Sequence, residues 1–286
     1  MALDDVAVKI ARSENLSILP EVGRQVIRLI DDPDASVAKL ESLIERDPAM
    51  SAKIVRVANS AYYGHSNIGS IGRAVTVLGM NIVRSLVTTI VYQQVVKDYD
   101  GFSKGFAYGL WRHSLATGIV ARILAKIKMP LKAENLYAAS LIHNVGLLSM
   151  GRFCSDQLVT VIAEARKGER SILEVEHEQL GFDHTEVGEL IGQKWGLPEF
   201  MITALRYHHS PLEAPANQET ATIVAVSQLA AQRAGYTFEF VATPEPIPTE
   251  WLEAIELSED QIPAVESVLH SEMEKVQQLF NVPAAA

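Results

Sequence analysis

The sequence predicts an all-α protein made of two helical halves packed together. Apolar residues recur three and four positions apart in nearly every periodic stretch, as they do over 37–44. Residues that cap helices precede several of these stretches, such as Ser36 and the Asp47-Pro48 pair. Glycine or proline follows many of them. Together these signals predict a chain of short helices joined by short turns.

Two helices in this pattern need particular justification. The β-branched run Val87-Thr88-Thr89-Ile90-Val91 resembles a strand, but helical neighbours on both sides favour a buried helix over about 81–96. Another helix is predicted from about 133 to 150, interrupted or ended near Gly146 to Gly151. Asp183 and Glu186 have the spacing of a capping box, which predicts a helix from there to Trp195.

Breaks in the pattern suggest three regions. Charged residues and glycines at 97–105 predict a boundary, which gives an N-terminal helical subdomain over 1–100 and a helical bundle over 101–235. The remaining residues, 236–286, form a C-terminal extension. Its three prolines (Pro244, Pro246 and Pro248) predict a loop, and Ser258 is expected to cap a final amphipathic helix.

Composition disfavours several functions. The 35 acidic and 25 basic residues give a formal net charge of −10, which opposes binding to nucleic acid or to anionic lipid. No apolar run reaches the roughly 18 residues that a membrane span needs, and Met1–Glu14 lacks the apolar core of a signal peptide. The single cysteine, Cys154, excludes an intrachain disulfide. We therefore expect a cytoplasmic protein.

Histidines are the chemically informative residues. Three of the eight, at 65, 177 and 270, have the pattern of ordinary surface or core residues. The other five lie within predicted helices or at their ends (His113, His143, His184, His208 and His209). Helices that direct ligands inward commonly build metal sites in bundles. Spacing alone leaves a second interpretation open, in which these histidines are buried hydrogen-bonding residues that join helices without a metal.

Several motifs, in order, resemble the HDOD domain, a relative of the HD and HD-GYP phosphohydrolases. Leu141–Leu148 is similar to the His-Asp signature of the HD enzymes, and Gly181–Gly188, Trp195–Pro198 and His208-His209 follow the later HDOD pattern. Four earlier segments resemble the opening motifs of the HDOD domain: Leu19-Pro20, Asp47–Ser51, Val57–Gly64 and Ala74–Gly79. The resemblance covers about 16–235. It implies an N-terminal helical subdomain packed on an HD-like helical bundle.

The resemblance also implies a set of ligand positions. In catalytic relatives, histidines and carboxylates hold two metal ions. The corresponding positions here are His113, His143, Asn144, His184, His208, His209 and Gln228. All the histidines are present, but amides stand at both positions where active members have aspartate.

The two amides change what the site is expected to hold. Two divalent ions about 3.5–4 Å apart repel each other strongly, and an anionic bridge makes such a pair tenable. Asn144 and Gln228 offer neutral carbonyl oxygens instead of charged ones. We expect at most one divalent metal (iron, manganese or zinc), or two bridged by an exogenous anion such as phosphate.

These features favour a non-catalytic bacterial signalling module that acts through contacts with signalling proteins. One alternative is a metal-dependent phosphohydrolase acting on a nucleotide or cyclic dinucleotide, and another is a nucleotide receptor without hydrolysis. A weak candidate partner surface comprises Asn59, Ser60, Tyr62 and Tyr63, although packing between the halves explains the tyrosines better. Arg112, Arg122 and Arg206 could serve a phosphate-bearing ligand, or could belong to solvated helix faces.

Overall fold

The architecture is all-α, as the sequence predicts. The computed structural model describes residues 3–12, 21–29, 32, 34–101, 103–238 and 245–280, and these contain no strand. The Leu19-Pro20 motif and the centre of the predicted 237–249 loop lie outside the described residues. The helices are α1 Leu3–Arg12, α2 Glu21–Arg28, α3 Val37–Ile44, α4 Pro48–Ala58, α5 Ile71–Leu78, α6 Met80–Lys97, α7 Lys104–Lys128, α8 Ala133–Ile142, α9 Val145–Phe153, α10 Ser155–Ala165, α11 Ile172–Leu180, α12 His184–Trp195, α13 Glu199–Tyr207, α14 Gln218–Arg233, α15 Thr249–Ala254 and α16 Ile262–Phe280.

The helix starts follow the expected capping chemistry. Ser36 accepts a hydrogen bond from the backbone N–H of Lys39, and the Asp47 carboxylate accepts bonds from two backbone N–H groups of α4. The capping box of Asp183 and Glu186 is formed at the start of α12. The β-branched run lies inside α6, where it is almost wholly buried. These predictions are confirmed.

Helix α7 lies at the centre of the packing. It contacts α8 and α14 in the second half, α16 in the C-terminal extension and α6 in the first half. Trp111 on α7 is fully buried, as is Trp195 at the end of α12. One continuous apolar core runs from Val6 to Phe280 and includes residues of all three predicted regions. The three regions share this core. The boundaries at 100 and 235 therefore remain a prediction.

The first half is joined to the second by polar contacts as well as by the core. The Arg28 guanidinium donates to the backbone carbonyl of Trp195 at 2.9 Å, where α12 ends in the left-handed Gly196. On α6, the Thr89 hydroxyl lies 2.8 Å from the Tyr137 hydroxyl on α8. Arg28 thus satisfies a terminal carbonyl of the helix that begins with His184.

The described part of the C-terminal extension contains one helix more than predicted. Thr249–Ala254 forms the short helix α15, which begins where the predicted loop ends and was not predicted. Ser258 forms its capping box with Gln261, but the helical turn that it starts is a 3₁₀ turn leading into α16. No single described helix is sufficiently long and apolar to cross a membrane. Only α5 and α6 meet that test as a pair, and they are bent by 119° at the break between them.

The predicted break in the 133–150 helix lies earlier than expected. Helix α8 ends at Ile142 and α9 begins at Val145, so His143 and Asn144 occupy the junction, and 146–151 is helical. The prediction of a break at the glycines was wrong. Gly146 serves packing instead, since a Cβ at this position would lie 1.9 Å from the backbone carbonyl oxygen of His184. Helix α9 therefore meets α12 backbone to backbone, which brings Asn144 beside His184.

We expect Gly146→Ala to lower the free energy of unfolding by about 1–3 kcal/mol or more, because the added methyl group has no space against α12. Gly105→Ala is the matched control, since its Cβ would meet only the Ser103 hydroxyl oxygen at 3.5 Å. Urea denaturation of both variants measures the effect. Equal stability of the two variants would contradict the close approach of α9 and α12.

Candidate metal centre

The five predicted histidines meet at one place in the bundle. His113 comes from α7, His143 from the α8–α9 junction and His184 from the start of α12, while His208-His209 follow α13. Their rings form a connected cluster. The centroid distances are 5.5 Å for His113–His143, 5.0 Å for His143–His208, 5.4 Å for His184–His208, 5.2 Å for His184–His209 and 4.5 Å for His208–His209. Residues from distant parts of the sequence are thus in direct contact.

Backbone carbonyls fix the orientation of three of these rings. The Nδ1 atom lies 2.8 Å from the carbonyl oxygen of Tyr236 for His113, 2.6 Å from that of Ser140 for His143, and 3.0 Å from that of Ala204 for His208. A carbonyl oxygen only accepts, so each Nδ1 must carry the proton and donate it. In the neutral ring, Nε2 then carries a lone pair.

The Nε2 atoms of the cluster differ in their partners. Those of His113 and His143 are buried and have no hydrogen-bond partner among the described residues. Those of His184 and His208 lie 3.3 Å apart. Two lone pairs cannot face each other at this distance unless a proton or a cation lies between them. Tetrahedral zinc with nitrogen ligands at about 2.0–2.1 Å separates those nitrogens by roughly 3.3 Å.

Sequence reasoning missed one residue of this centre, Glu176 on α11. Its carboxylate is fully buried and lies 2.7 Å from Nδ1 of His184, and it also accepts from the His184 backbone N–H at 3.1 Å. A carboxylate on the outer nitrogen of a histidine fixes the ring and makes it a better metal ligand. The sequence did contain a signal for this residue, because Glu176 is a charged residue on the apolar face of α11, between Val175 and Leu180.

Burial dominates the protonation of the cluster. It lowers the pKa of His113 to about 4, and with the charge of His184 it lowers the pKa of His209 to about 3. Burial and neighbouring histidines hold the pKa values of His143 and His208 well below the usual range. At His184 burial acts in the same direction, but the Glu176 carboxylate overcomes it and raises the pKa.

The two predicted amide positions also lie at the cluster. Asn144 is buried, and its Oδ1 has no hydrogen-bond partner among the described residues. The Gln228 side-chain nitrogen, on α14, lies 3.5 Å from Nδ1 of His209. The structure therefore brings together all seven residues that the resemblance implies. Their role as ligands remains a prediction.

A cavity of about 560 Å³ opens beside the cluster. Asn144, His184, His209 and Gln228 line its inner end, and the 168–174 segment lines the other side. Arg170 at its edge forms ion pairs with Glu164 and Glu178 on the surface. The cavity gives a small molecule a route to the histidines.

Comparison with known proteins identifies the family. The model of the HDOD domain matches residues 16–211. The chain belongs to the HDOD family. An uncharacterized protein of Treponema pallidum (strain Nichols) is 28% identical over 209 residues, which cover 71% of this chain and 39% of that protein. This HDOD chain thus spans well under half the length of that curated relative.

Solved structures share the fold of this HDOD chain. An HDOD domain protein of unknown function from Geobacter sulfurreducens aligns with a TM-score of 0.69 and 24% identity, covering 92% of this chain and 90% of that one. A candidate signal transduction protein from Marinobacter aquaeolei VT8 has a TM-score of 0.73 and 21% identity, covering 98% of this chain and 65% of that one. A candidate phosphohydrolase from Shewanella amazonensis SB2B has a TM-score of 0.70 and 21% identity, covering 94% and 97%.

A second group of possible ligands in the HDOD chain is explained by helix capping. His177, Asp183 and Glu186 lie close enough to share an ion. The Asp183 carboxylate, however, accepts from the backbone N–H groups of Thr185 and Glu186 and from Nε2 of His177, and Glu186 accepts from the Asp183 backbone. These contacts account for both carboxylates as the cap of α12.

The other candidate residues lie away from the histidines or have partners. Asn59 uses its amide to bond the backbone of Val55 and Ile68, so it holds the loop after α4. Tyr62 and Tyr63 line a different cavity together with Arg122, and Ser60 immediately precedes them in the chain.

The other two arginines singled out in the sequence have partners. Arg112 stacks over Tyr236, and Arg206 pairs with Glu189.

Acid should destabilise the metal-free protein. In the unfolded chain these histidines bind protons below about pH 6.5, whereas His113 and His209 in the folded chain do so only near pH 4 and pH 3. The unfolded state therefore gains protons first. The free energy of unfolding should fall by about 2 kcal/mol per such histidine between pH 7 and pH 5.

Thermal melting of chelator-treated protein measures this effect, with an expected decrease in Tm of at least about 5 °C. The raised pKa of His184 acts oppositely and offsets part of the loss, because its contribution is present below pH 6.5. His113→Asn should reduce the dependence on pH, whereas His65→Asn, at an exposed residue, should not. A flat profile from pH 7 to pH 5 would contradict the buried neutral cluster.

Glu176→Gln should weaken metal binding by about 10–100-fold, because a neutral amide supports the His184 ring without adding negative charge. Competition with a chromogenic chelator measures the affinity for Zn²⁺. Glu178→Gln is the matched control on the same helix, since Glu178 is exposed and pairs with Arg170. Equal affinities for the two variants would show that the Glu176–His184 contact does not support a ligand.

Proposed function

We propose that this protein is a non-catalytic signal-transduction module, which acts through contacts with partner proteins and holds one divalent metal ion in its histidine cluster. Iron, manganese and zinc are the candidates, since imidazole ligands suit first-row metals. Such an ion would supply positive charge at the point where α7, α8, α12 and α13 meet. The chain's own residues would orient the ligands and keep them neutral.

The charge of the cluster carries the non-catalytic part of the proposal. Ligating atoms of His184, His208 and His209 lie within 4.8 Å of one another, and this group contains no carboxylate among the described residues. Glu176, the buried carboxylate beside the cluster, is bonded to the outer nitrogen of His184. Asn144 and Gln228 add no charge. Two divalent ions would therefore lack the bridging anion that such a pair requires.

The donor set suits a single ion. Three imidazole nitrogens with an open position are a common arrangement for one divalent metal in proteins. The unpartnered Nε2 atoms of His113 and His143 also favour a bound cation. The signalling part of the proposal is supported by membership of the HDOD family and by the fold shared with the Marinobacter protein.

Metal content and turnover of the full chain test this proposal together. Protein purified without chelators is expected to contain at most one equivalent of iron, manganese or zinc by mass spectrometry. It should cleave neither bis(p-nitrophenyl) phosphate nor a cyclic dinucleotide faster than His143→Ala does. Asn144→Asp with Gln228→Asp should raise the capacity to two equivalents, because the added carboxylates restore the missing charge.

Each outcome bears on a distinct part of the proposal. Two equivalents of metal with turnover above the His143→Ala rate would establish a phosphohydrolase and overturn it. No metal after reconstitution with all three ions would remove the metal but leave the non-catalytic assignment. A double variant that still binds one ion would show that charge at 144 and 228 does not limit the site.

A further inference from the structure

A second cavity, of about 700 Å³, lies apart from the histidines. The loop after α4 forms one wall, the C-terminal part of α7 forms another, and α16 closes a third side. It shares no lining residue with the cavity beside the histidine cluster. Its walls thus come from all three predicted regions of the chain. Cavities of this size accommodate small organic ligands.

The cavity is locally positive in a protein that is acidic overall. Its charged residues are Arg122, Lys126 and Lys275 against Glu134 and Glu272, an excess of one positive charge. Lys275 pairs with Glu272 at 2.9 Å. Lys126 forms no ion pair with any described residue. A local positive potential attracts anions, even though the chain carries a net charge of −10.

Arg122 is the most buried cation of this cavity. Its side chain is only 11% exposed, and its guanidinium lies over the Tyr137 ring at 4.6 Å. It donates one hydrogen bond, to the Tyr62 hydroxyl at 3.3 Å, while the Glu134 carboxylate is 3.8 Å away and beyond hydrogen-bond distance. A guanidinium has five N–H donors in a planar fork. The remaining donors suit a phosphate or carboxylate in the cavity.

The rest of the wall is aromatic and aliphatic. Tyr62 and Tyr63 pack edge to face with ring centroids 4.8 Å apart. Ile127 and Val268 are large apolar residues that remain 56% and 48% exposed at the cavity. Tyrosine rings and exposed aliphatic groups favour a flat, partly apolar body over a bare inorganic ion.

We propose that this second cavity binds a purine nucleotide, with its phosphate on Arg122 and Lys126 and its base against Tyr62, Tyr63 and the exposed aliphatic residues. An arginine fork together with an unpaired lysine matches the charge and geometry of a phosphate better than that of a single carboxylate. A ligand here contacts the N-terminal half, α7 and α16 together. It therefore provides an input to the fold that is independent of the histidine cluster.

Calorimetric titration of the full chain with AMP and GMP tests this site, with adenosine and inorganic phosphate as partial ligands. Binding of at least one nucleotide is expected below about 1 mM, and both partial ligands should bind at least about tenfold more weakly. Lys126→Gln should weaken nucleotide binding by about three- to tenfold. Lys128→Gln is the matched control, because Lys128 lies two residues further along α7 and pairs with Glu256 outside the cavity.

A second variant addresses Arg122 without leaving a buried charge behind. Arg122→Met with Glu134→Gln removes both members of the pair, and it should weaken nucleotide binding at least about tenfold while the helical circular dichroism is retained. Three results would overturn the proposal. They are no nucleotide binding at about 1 mM, equal effects of Lys126→Gln and Lys128→Gln, or binding that is lost in His143→Ala but kept in Lys126→Gln.

Discussion

The hydrogen bonds on the outer nitrogens of the histidines determine the rest of this structure. Backbone carbonyls hold Nδ1 of His113, His143 and His208, and Glu176 holds Nδ1 of His184. Each backbone contact fixes a tautomer that leaves the lone pair on Nε2, and at His113 and His143 this nitrogen has no other partner among the described residues. The helix ends must then lie where those carbonyls are needed. The α8–α9 break at His143 satisfies this requirement, because Nδ1 of His143 lies 2.6 Å from the Ser140 carbonyl oxygen.

A cluster of neutral ligands has different uses from an acidic one. Neutral imidazoles such as those of His184, His208 and His209 can hold one cation, because their nitrogen lone pairs bind it without adding charge. They cannot offset the charge of two cations, and the amides of Asn144 and Gln228 do not change this. A cation held in the centre would connect α7, α8, α12 and α13 through their histidines. Arg28 bonds the other end of α12, at the Trp195 carbonyl, to the N-terminal half.

Local signals in the sequence predicted much of the fold and little of its close packing. Ser36, Asp47 and Asp183 marked helix starts correctly because capping depends on a few neighbouring residues. The helix break was misplaced because Gly146 serves an inter-helix contact, which no periodicity reveals. The ordered motifs indicated the histidines, but Glu176 belongs to none of them. The second cavity, which Arg122 lines, depends on how α16 packs against α7, and local patterns do not encode this packing.

Anomalous diffraction from crystals of the protein, recorded at the absorption edge of the metal it carries, tests the central claim most directly. The account predicts one anomalous peak within bonding distance of Nε2 of both His184 and His208, with nitrogen ligands and no protein carboxylate bound. Two peaks about 3.5–4 Å apart would contradict it, because they would show that the neutral cluster sustains a metal pair. A single peak bound by a carboxylate would contradict it as well.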